Sequence, residues 1–278
     1  MKNTHILVRP GELFLKGKNR SFFENKLINN IKIKSKIEQV QLIRGRFILP
    51  YFPEHAILRK IFGIVSYSPA KKVAKDIEDI KKAALQTIKE KEGTFKVETK
   101  RSDKNFPIKS PELNRLVGEH IEKNSLLTFK METPNHILHI EINQKGTYLF
   151  TDITSCFGGM PTGIEGKVVL LVENEASILA GILMMKRGTT ILPVSLTGNK
   201  ELSLLNSFSP TKLNLKLFNT NEEIEKFAFD ERIDILVTGQ HLENFEKAKT
   251  QLVIFRPLIG YNKKEVKEQL SVFNFQQI

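Results

Sequence analysis

The residues of this sequence best suited to chemistry are basic side chains in short loops, and the chemistry they suit is phosphate binding. One group lies in the loop from Gly11 to Arg20, which contains Gly11 and Gly17, and glycine lets the backbone approach a ligand closely. A second lies between a strand that ends near residue 101 and a helix that begins near residue 112. Lysine and arginine neutralise phosphates and release their counterions, so both groups predict contact with a polyanion. With the two arginines that flank Gly45, the candidate contacts are Lys16, Lys18, Arg20, Arg44, Arg46, Lys100, Arg101, Lys104, Lys109 and Arg115.

The distribution of charge supports the same prediction. The 278 residues carry a formal net charge of +12. Residues 1–166 hold 29 Lys+Arg and 18 Asp+Glu, whereas residues 167–278 hold 14 and 13, so the basic excess belongs to the first part of the chain. Such a surface attracts nucleic acid. Two alternatives stay open: a lysine-rich surface that only keeps the protein soluble and, less favoured, contact with an anionic membrane surface.

Other kinds of site are not predicted. His136 and His139 are three residues apart in a strand, so they point to opposite faces and cannot share a metal ion. The glycine motifs of dinucleotide and P-loop sites do not occur. Cys156 is the only cysteine, which leaves no partner for an internal disulfide and favours a reducing cytoplasm. We expect no metal ligand and no membrane span, because no apolar stretch approaches the roughly 20 residues that cross a bilayer.

Three segments of the chain must position the basic groups. The first, residues 1–72, contains an amphipathic helix over 21–33, in which apolar residues recur at helical spacing. Its other predicted elements are strands over 6–9, 39–43, 46–50 and 65–69 and a short helix over 55–61. The second segment, residues 73–165, is predicted to hold helices over 77–91 and 112–123 and strands over 94–101, 136–142 and 147–152. This alternation indicates an α+β half with a partly antiparallel sheet.

The third segment, residues 166–278, follows a linker rich in glycine and proline between Gly158 and Gly166. Its strands alternate with helices, which predicts a parallel α/β sheet with right-handed crossovers. The predicted strands cover 168–172, 190–196, 234–238 and 253–256, and the predicted helices cover 176–187, 221–229 and 263–272.

Four stretches, taken in order, resemble the tRNA 4-thiouridine synthetases, the ThiI-type tRNA sulfurtransferases. They are Gly11–Arg20 with Phe22 and Phe23; Lys100–Pro107 with Ser110, Glu112, Asn114, Arg115, Val117 and Gly118; Gly158–Gly163 through Gly166–Val168; and Leu236–Gly239 with Arg256–Gly260 and Lys263. The resemblance implies a ferredoxin-like domain, a THUMP domain and a Rossmann-like ATP-pyrophosphatase domain. It also implies that the first two domains together bind tRNA, through contacts to shape and phosphates rather than a base code.

The sequence departs from this family at the ATP loop, which in the family reads Ser-Gly-Gly-x-Asp-Ser. The matching positions here run from Val172 to Ser177, and of the motif only the final serine is kept. Glycines let backbone N–H groups face phosphates at a helix N-terminus, but Glu173 and Asn174 replace both of them here. The carboxylates of Glu173 and Glu175 stand where pyrophosphate would bind in the family. By resemblance, the remains of the ATP site are Leu170, Leu171, Ser177 and Gly239. ATP and Mg²⁺ are cofactors only if the altered loop still binds nucleotide.

Two further departures concern catalysis. The family carries sulfur on a cysteine of its ATP domain, and residues 166–278 contain none. Cys156 lies in the linker, where the family has no catalytic thiol, so we interpret it as a bystander and name no catalytic residue. After Gly239 the sequence continues Gln240-His241-Leu242 instead of the family's Glu and Gly-Gln pattern.

These observations favour a cytoplasmic tRNA-binding protein that acts in tRNA thiolation as a non-catalytic or partner-dependent subunit. It would deliver tRNA to a separate sulfur-donor or ATP-using protein. The resemblance also implies a homodimer, because members of the family commonly form dimers. One alternative is an active ATP-dependent tRNA sulfurtransferase with an altered loop. Another is a tRNA-binding module with a different role, such as a chaperone. Resemblance of fold cannot separate them, because function lies in the site, and the site has changed.

Overall fold

A computed structural model describes residues 3–11, 17–43, 45–247 and 249–274. These residues form two compact units, and the chain passes between them several times. The first unit contains residues 1–9, 39–53 and 66–154, and the second contains residues 10–38, 54–65 and 155–278. The division of the chain at residues 1–72, 73–165 and 166–278 stays a prediction, because compactness alone does not define a family domain.

The first unit is built on one large mixed sheet. Its strands are β1 (His5–Pro10), β2 (Gln41–Ile43), β3 (Arg46–Pro50), β4 (Ile64–Val73), β5 (Thr94–Arg101), β6 (Thr128–Phe129), β7 (His136–Asn143), β8 (Gly146–Phe150) and β9 (Thr154–Ser155). Among the described residues the strand order is β2-β3-β1-β4-β8-β7-β5-β6, with β9 paired to β4. The predicted α+β half is confirmed. The two-residue strands β6 and β9 escaped the sequence analysis because so short a strand has no periodicity of its own.

Two helices cover one face of this sheet. They are α2 (Ile77–Ile88) and α3 (Ser110–Asn124). Asp76 caps α2 by accepting hydrogen bonds from the backbone N–H groups of Glu78 and Asp79. The helix α3 begins two residues earlier than predicted, because Pro111 lies in its first turn, where proline is tolerated. The buried core between helices and sheet includes Ile80, Ala84, Phe95, Val97, Phe106, Leu113, Val117, Leu138 and Ile140.

The second unit contains an entirely parallel sheet, as predicted. Its strands are β10 (Lys167–Leu171), β11 (Thr190–Ser195), β12 (Lys216–Leu217), β13 (Ile235–Val237) and β14 (Val253–Phe255), in the order β12-β11-β10-β13-β14. Val168 and Leu170 pack into one core cluster and Val169 and Leu171 into another, so β10 is buried on both faces. This explains its uninterrupted apolar sequence.

The helices of the second unit are α1 (Arg20–Ser35), α4 (Glu175–Lys186), α5 (Ser203–Phe208), α6 (Asn221–Asp230) and α7 (Lys263–Phe273), with a 3-10 helix at His55–Lys60. The predicted helix over 55–61 is therefore of the 3-10 type, and α5 was not predicted. Lys34 of α1 donates hydrogen bonds to the carbonyl oxygens of Asn206 and Ser207, in the last turn of α5. Burial, and then the charge of Lys60, lowers the pKa of Lys34 to about 8. This contact belongs to the tertiary fold, since the residues it joins are 172 and 173 positions apart.

No helix in the described part of the chain is both long enough and apolar enough to span a bilayer. Within the same residues, no three His, Cys, Asp or Glu side chains form a group that could hold a metal ion.

Candidate nucleic-acid interface

Three strands of the first unit end at the same edge of its sheet. β5 and β7 are parallel, while β4 and β7 are each antiparallel to β8, so β4, β5 and β7 run in one direction. The segments that follow them, 74–76, 102–109 and 144–145, therefore lie together. Contacts confirm the placement, because the backbone N–H groups of Ser102 and Asp103 both donate to the carbonyl oxygen of Ile142.

Exposed lysines crowd these segments. Lys75 donates to Asp103 Oδ2 at 2.5 Å and to the carbonyl oxygen of Gln144 at 3.2 Å, which joins all three segments. Lys104, Lys109 and Lys145 are exposed beside them. We define the basic edge as six exposed lysines on these segments and on the adjoining strand ends. They are Lys72, Lys75, Lys100, Lys104, Lys109 and Lys145.

The structure brings together three of the sequence-predicted contacts, Lys100, Lys104 and Lys109, and adds Lys72, Lys75 and Lys145. The added lysines were missed because they follow other strands of the chain, with Lys72 and Lys75 at the end of β4 and Lys145 in the turn after β7. The parallel direction of β4, β5 and β7 was the signal that could have found them, since it places the loops that follow these strands at one edge.

Two predicted arginines are engaged inside the first unit. The Arg101 guanidinium donates to the carbonyl oxygens of Phe106 and Ile108, so it holds the loop that carries Lys104. Arg46 makes a bidentate contact with Glu141, with Nε and an NH2 nitrogen at 3.0 and 3.1 Å from the carboxylate oxygens. Both side chains shape the surface, although neither projects freely from it.

Glu141 is the centre of a partly buried ion cluster. Arg9 approaches the same carboxylate at 3.5 Å and also donates to Ser68 Oγ. Burial alone raises the pKa of Glu141, but the hydrogen bonds and charge of Arg46, together with the charges of Arg9 and Lys100, outweigh it and lower the pKa. Glu141 is therefore ionised at neutral pH and compensates two arginines.

The remaining predicted contacts lie elsewhere. Lys18 is exposed just before α1, and Arg20 pairs with Glu24 at 2.7 Å within the first turns of that helix, in the second unit. Arg115 is exposed on α3 and pairs with Glu119 at 2.7 Å. Lys16 and Arg44 lie outside the described residues.

The altered loop between β10 and α4 satisfies its own hydrogen bonds. Asn174 Oδ1 accepts from the backbone N–H groups of Ala176 and Ser177 at 3.0 and 3.2 Å, so it caps α4. The Ser177 hydroxyl accepts from the Glu173 N–H at 3.2 Å. In a phosphate loop such N–H groups face the ligand, and here side chains of the protein already occupy them.

The segment that follows β13 packs directly against the N-terminus of α4. A Cβ atom on Gly239 would lie 2.4 Å from the backbone nitrogen of Ser177, so the chain after β13 touches the start of α4. Ser177 itself is fully buried. Leu170 and Leu171 belong to the core clusters on the two faces of the sheet. The four predicted remnants of an ATP site are thus packed against the fold.

The electrostatics of the loop also oppose a phosphate. Burial raises the pKa of the Glu173 carboxyl, Glu246 raises it further, and Lys200 only partly offsets them. A cavity of about 350 Å³ opens beside the loop, and its charged lining consists of Glu173, Glu175, Glu201 and Lys200. A polyphosphate placed there would face more negative than positive charge.

Cys156 is poorly suited to carry sulfur. Burial raises the pKa of its thiol to about 12, although the charge of Arg59 acts in the opposite direction. The thiolate is the nucleophilic form of cysteine, and almost none exists at neutral pH when the pKa is so high.

We expect iodoacetamide to alkylate Cys156 more than about 100-fold more slowly in the folded protein than in the urea-unfolded chain at about pH 8. The folded-state rate should climb roughly tenfold for each pH unit, because each unit deprotonates about tenfold more thiol below its pKa. Mass spectrometry of quenched samples follows the reaction. Equal rates in the folded and unfolded chains would refute the assignment of Cys156 as an unreactive thiol.

Two family models match the chain. One, for the ThiI ferredoxin-like domain, matches residues 5–68, and one for the THUMP domain matches residues 74–152. The second range contains every lysine of the basic edge except Lys72.

Relatives with similar sequences are named as probable tRNA sulfurtransferases. The relative from Mycoplasmopsis synoviae (strain 53) is 40% identical over 185 residues, covering 66% of this chain and 49% of that protein. The relative from Acetivibrio thermocellus is 33% identical over 323 aligned positions, covering 94% of this chain and 82% of that protein. The chain spans about half the length of the M. synoviae relative and of a Brevibacillus brevis relative (49% and 50%).

Two solved structures are similar along nearly the whole chain. PH1313 from Pyrococcus horikoshii Ot3 superposes with a TM-score of 0.87 at 27% identity, covering 98% of this chain and 100% of that one. A 4-thiouridine synthetase, solved in complex with RNA and with bound ATP, superposes with a TM-score of 0.85 at 28% identity, covering 98% and 85%.

Proposed function

Because this chain belongs to the tRNA sulfurtransferase family, we propose that it binds tRNA for thiolation to 4-thiouridine and acts as a non-catalytic or partner-dependent subunit. The observation that carries the proposal is the contrast between two sites. The basic edge is exposed and rich in lysine, whereas the altered loop is filled by its own side chains. The proposal places the protein in the cytoplasm, where tRNA is found.

The binding half of the proposal rests on the basic edge. The first unit holds 20 Lys+Arg and 13 Asp+Glu, a net charge of +7. Folded RNA is recognised mainly through shape and phosphate positions, which separated lysines on an exposed edge can contact. The solved 4-thiouridine synthetase that this chain resembles was crystallised with RNA, which supports RNA as the ligand.

The non-catalytic half rests on the altered loop and on Cys156. Asn174 and Ser177 occupy the N–H groups that a phosphate loop would offer to ATP. The only cysteine of the chain has a thiol pKa of about 12, so it does not supply a thiolate at neutral pH. A separate protein that uses ATP or donates sulfur would then complete the reaction.

A second candidate function is an active ATP-dependent tRNA sulfurtransferase with an altered ATP loop. It is favoured by the similarity to a synthetase solved with ATP, which extends over 98% of this chain. This alternative predicts ATP-dependent adenylation of tRNA that is lost when Ser177 is replaced. A tRNA-binding role outside thiolation, such as chaperoning, is the third candidate.

Isothermal titration with ATP and Mg²⁺, with and without bound tRNA, separates the first two candidates. We expect no measurable binding in either case, meaning a Kd weaker than about 1 mM. The matched variant carries Val172→Ser, Glu173→Gly, Asn174→Gly and Ala176→Asp, which restores the family's loop residues. Micromolar binding of ATP by the unaltered protein, or thiolation of tRNA by this protein alone with a sulfur donor, would exclude the non-catalytic proposal.

Two further parts of the proposal concern assembly. One is a sulfur-donor or ATP-using partner protein, and the other is a homodimer. Sedimentation velocity of the purified protein, alone and with tRNA, measures the second directly. A sedimentation coefficient that is independent of concentration and corresponds to a monomer would exclude the homodimer.

A further inference from the structure

A groove lies between α3 and the edge of the sheet formed by β5 and β6, within the first unit. Its volume is about 420 Å³, enough for a few apolar side chains. The apolar part of its lining is formed by Val97, Pro111, Gly118, Phe129 and Met131. All of these residues lie outside the basic edge.

Part of the apolar lining is open to solvent. Phe129 is 45% exposed and Met131 is 69% exposed, and the nearby Leu126 is 94% exposed. Grouped apolar side chains on a protein surface mark interaction sites, and a methionine adapts readily to different partners.

Gly118 keeps the groove open. It lies in the interior of α3, where glycine costs up to about 1 kcal/mol relative to alanine. A Cβ atom at this position would meet no other atom within 4 Å. The missing side chain is therefore space available to a partner, and it is not required by packing within the fold.

The rim of the groove does not favour RNA. Lys96 is neutralised by Glu98 at 2.6 Å, and Arg115 is neutralised by Glu119 at 2.7 Å. The remaining charged residue of the lining is Glu122, which leaves an excess of one negative charge. This differs from the basic edge, where lysines outnumber carboxylates.

One lining residue of the groove has a hydrogen-bond acceptor without a donor. Asn114 is one of the residues that line the groove, and its Oδ1 is buried with no hydrogen-bond partner among the described residues. A buried unpaired acceptor costs free energy that a donor from a ligand would recover. The excess negative charge that Glu122 leaves on the rim, together with this acceptor, fits a lysine or arginine side chain.

An added β-strand is not the expected occupant. The backbone N–H group of Thr128 donates to the carbonyl oxygen of Gly93, just before β5, and that of Lys130 donates to the carbonyl oxygen of Phe95 in β5. The N–H group between them, that of Phe129, is taken by Glu122 Oε1 at 3.0 Å. A strand added at this edge would find that donor occupied, so side chains from a helix or loop fit the groove better.

We propose that this groove docks a protein partner that inserts apolar side chains beside a lysine or arginine. The proposal goes beyond tRNA binding, and it can fail while tRNA binding stands. It offers a place for the partner that a non-catalytic subunit requires.

Two fluorescein-labelled amphipathic helical peptides test the proposal, one built of leucine and lysine and the other of leucine and glutamate. Fluorescence anisotropy measures their affinity for the whole protein. We expect the lysine peptide to bind at least about tenfold more tightly than the glutamate peptide, and Gly118→Leu to weaken it by a further factor of about ten or more. Thermal unfolding shows whether Gly118→Leu folds normally, and Met131→Lys is a second variant that blocks the groove from its other side. Leu217→Lys is the matched control, because Leu217 is also half-exposed (50%) and lies in the second unit.

Three outcomes overturn the proposal. The first is equal binding of the two peptides, or no loss in the folded Gly118→Leu and Met131→Lys variants. The second is weaker binding of a labelled single-stranded RNA hexamer by Gly118→Leu with peptide binding intact, which would make the groove an RNA site. The third is a change in self-association of Gly118→Leu in sedimentation velocity, which would assign the groove to a second copy of this chain. Full-length tRNA affinity, measured on the same variants, should stay within about twofold, so that failure here is distinct from failure of tRNA binding.

Discussion

Replacing Lys104, Lys109 and Lys145 together by glutamate is expected to lower the affinity for tRNA by about 100-fold or more near 0.1 M salt. All three are exposed lysines of the basic edge, and none supports the fold through an ion pair among the described contacts. The reversal removes three phosphate contacts and adds three repulsive charges. Because each phosphate contact contributes roughly 0.7–0.9 to the slope of log affinity against log salt, the slope should become shallower by about 2–3.

A matched control is available among the lysines on and next to the helices α2 and α3. Lys82, Lys89 and Lys123 are exposed, and their replacement by glutamate changes the net charge by the same amount. Lys89 and Lys123 lie at the carboxyl ends of α2 and α3, which have 12 and 15 residues, so they are roughly 18–22 Å from the basic edge at the amino ends. Fluorescence anisotropy over a series of salt concentrations measures both variants.

The comparison between the two variants decides the prediction. If the edge is the interface, the control loses only the small affinity expected from its lower overall charge. Equal losses in the two variants would mean that net charge alone drives binding, and the basic edge would no longer be a site. In that case the exposed Lys18 of the second unit would be the next place to test.

Replacing Glu141 by alanine is expected to destabilise the first unit by about 3–5 kcal/mol. The substitution leaves Arg9 and Arg46 largely buried, with side chains only 15% and 18% exposed, and without their shared counter-charge. Both arginines are shielded from water in the folded protein. After the substitution, neither water nor a carboxylate stabilises their positive charges. Urea denaturation followed by circular dichroism measures the change in the free energy of unfolding.

The control for this prediction is Glu119→Ala, which breaks the exposed pair with Arg115. It should cost at most about 0.5 kcal/mol, because exposed pairs contribute little. The pH dependence adds a second test. The pKa of Glu141 is lowered in the folded protein, so its contribution is present above the unfolded value near 4.3 and is lost as pH falls below it. The difference between the unaltered protein and Glu141→Ala should therefore shrink in acid, and a difference that stays constant down to about pH 3 would show that the carboxylate charge is not responsible.

The altered loop shows how a helix can keep its N-terminus stable without a ligand bound there. A helix N-terminus needs acceptors for its free N–H groups, and a bound phosphate is one way to provide them. Here Asn174 provides a capping oxygen, and Glu175 places a negative charge in the first turn. The strand–loop–helix geometry is therefore stable without a bound nucleotide, as the proposed non-catalytic role requires.

The sequence by itself determined the longer helices and strands and the fold class. Alternating strands and helices from residue 167 onward predicted a parallel sheet, and the structure confirms it as β10 to β14. A strand was predicted over 168–172, and its uninterrupted apolar sequence agrees with the burial of β10 on both faces of the sheet. Local composition also marked the loop from Glu173 to Ser177 as unlike a phosphate loop, since glycine content and charge are properties of the residues themselves.

Only the tertiary structure decided which basic residues form a surface. Arg46 and Arg101 resemble Lys100 and Lys104 in sequence, yet both arginines are engaged within the first unit. Arg46 meets Glu141, which is 95 residues away in the chain, and Lys75 meets Asp103, which is 28 residues away. Charge and local spacing can be read from the sequence, but the parallel strands bring distant loops together. An arginine is available or engaged according to the acceptors that the fold places beside it, which are a carboxylate for Arg46 and carbonyl oxygens for Arg101.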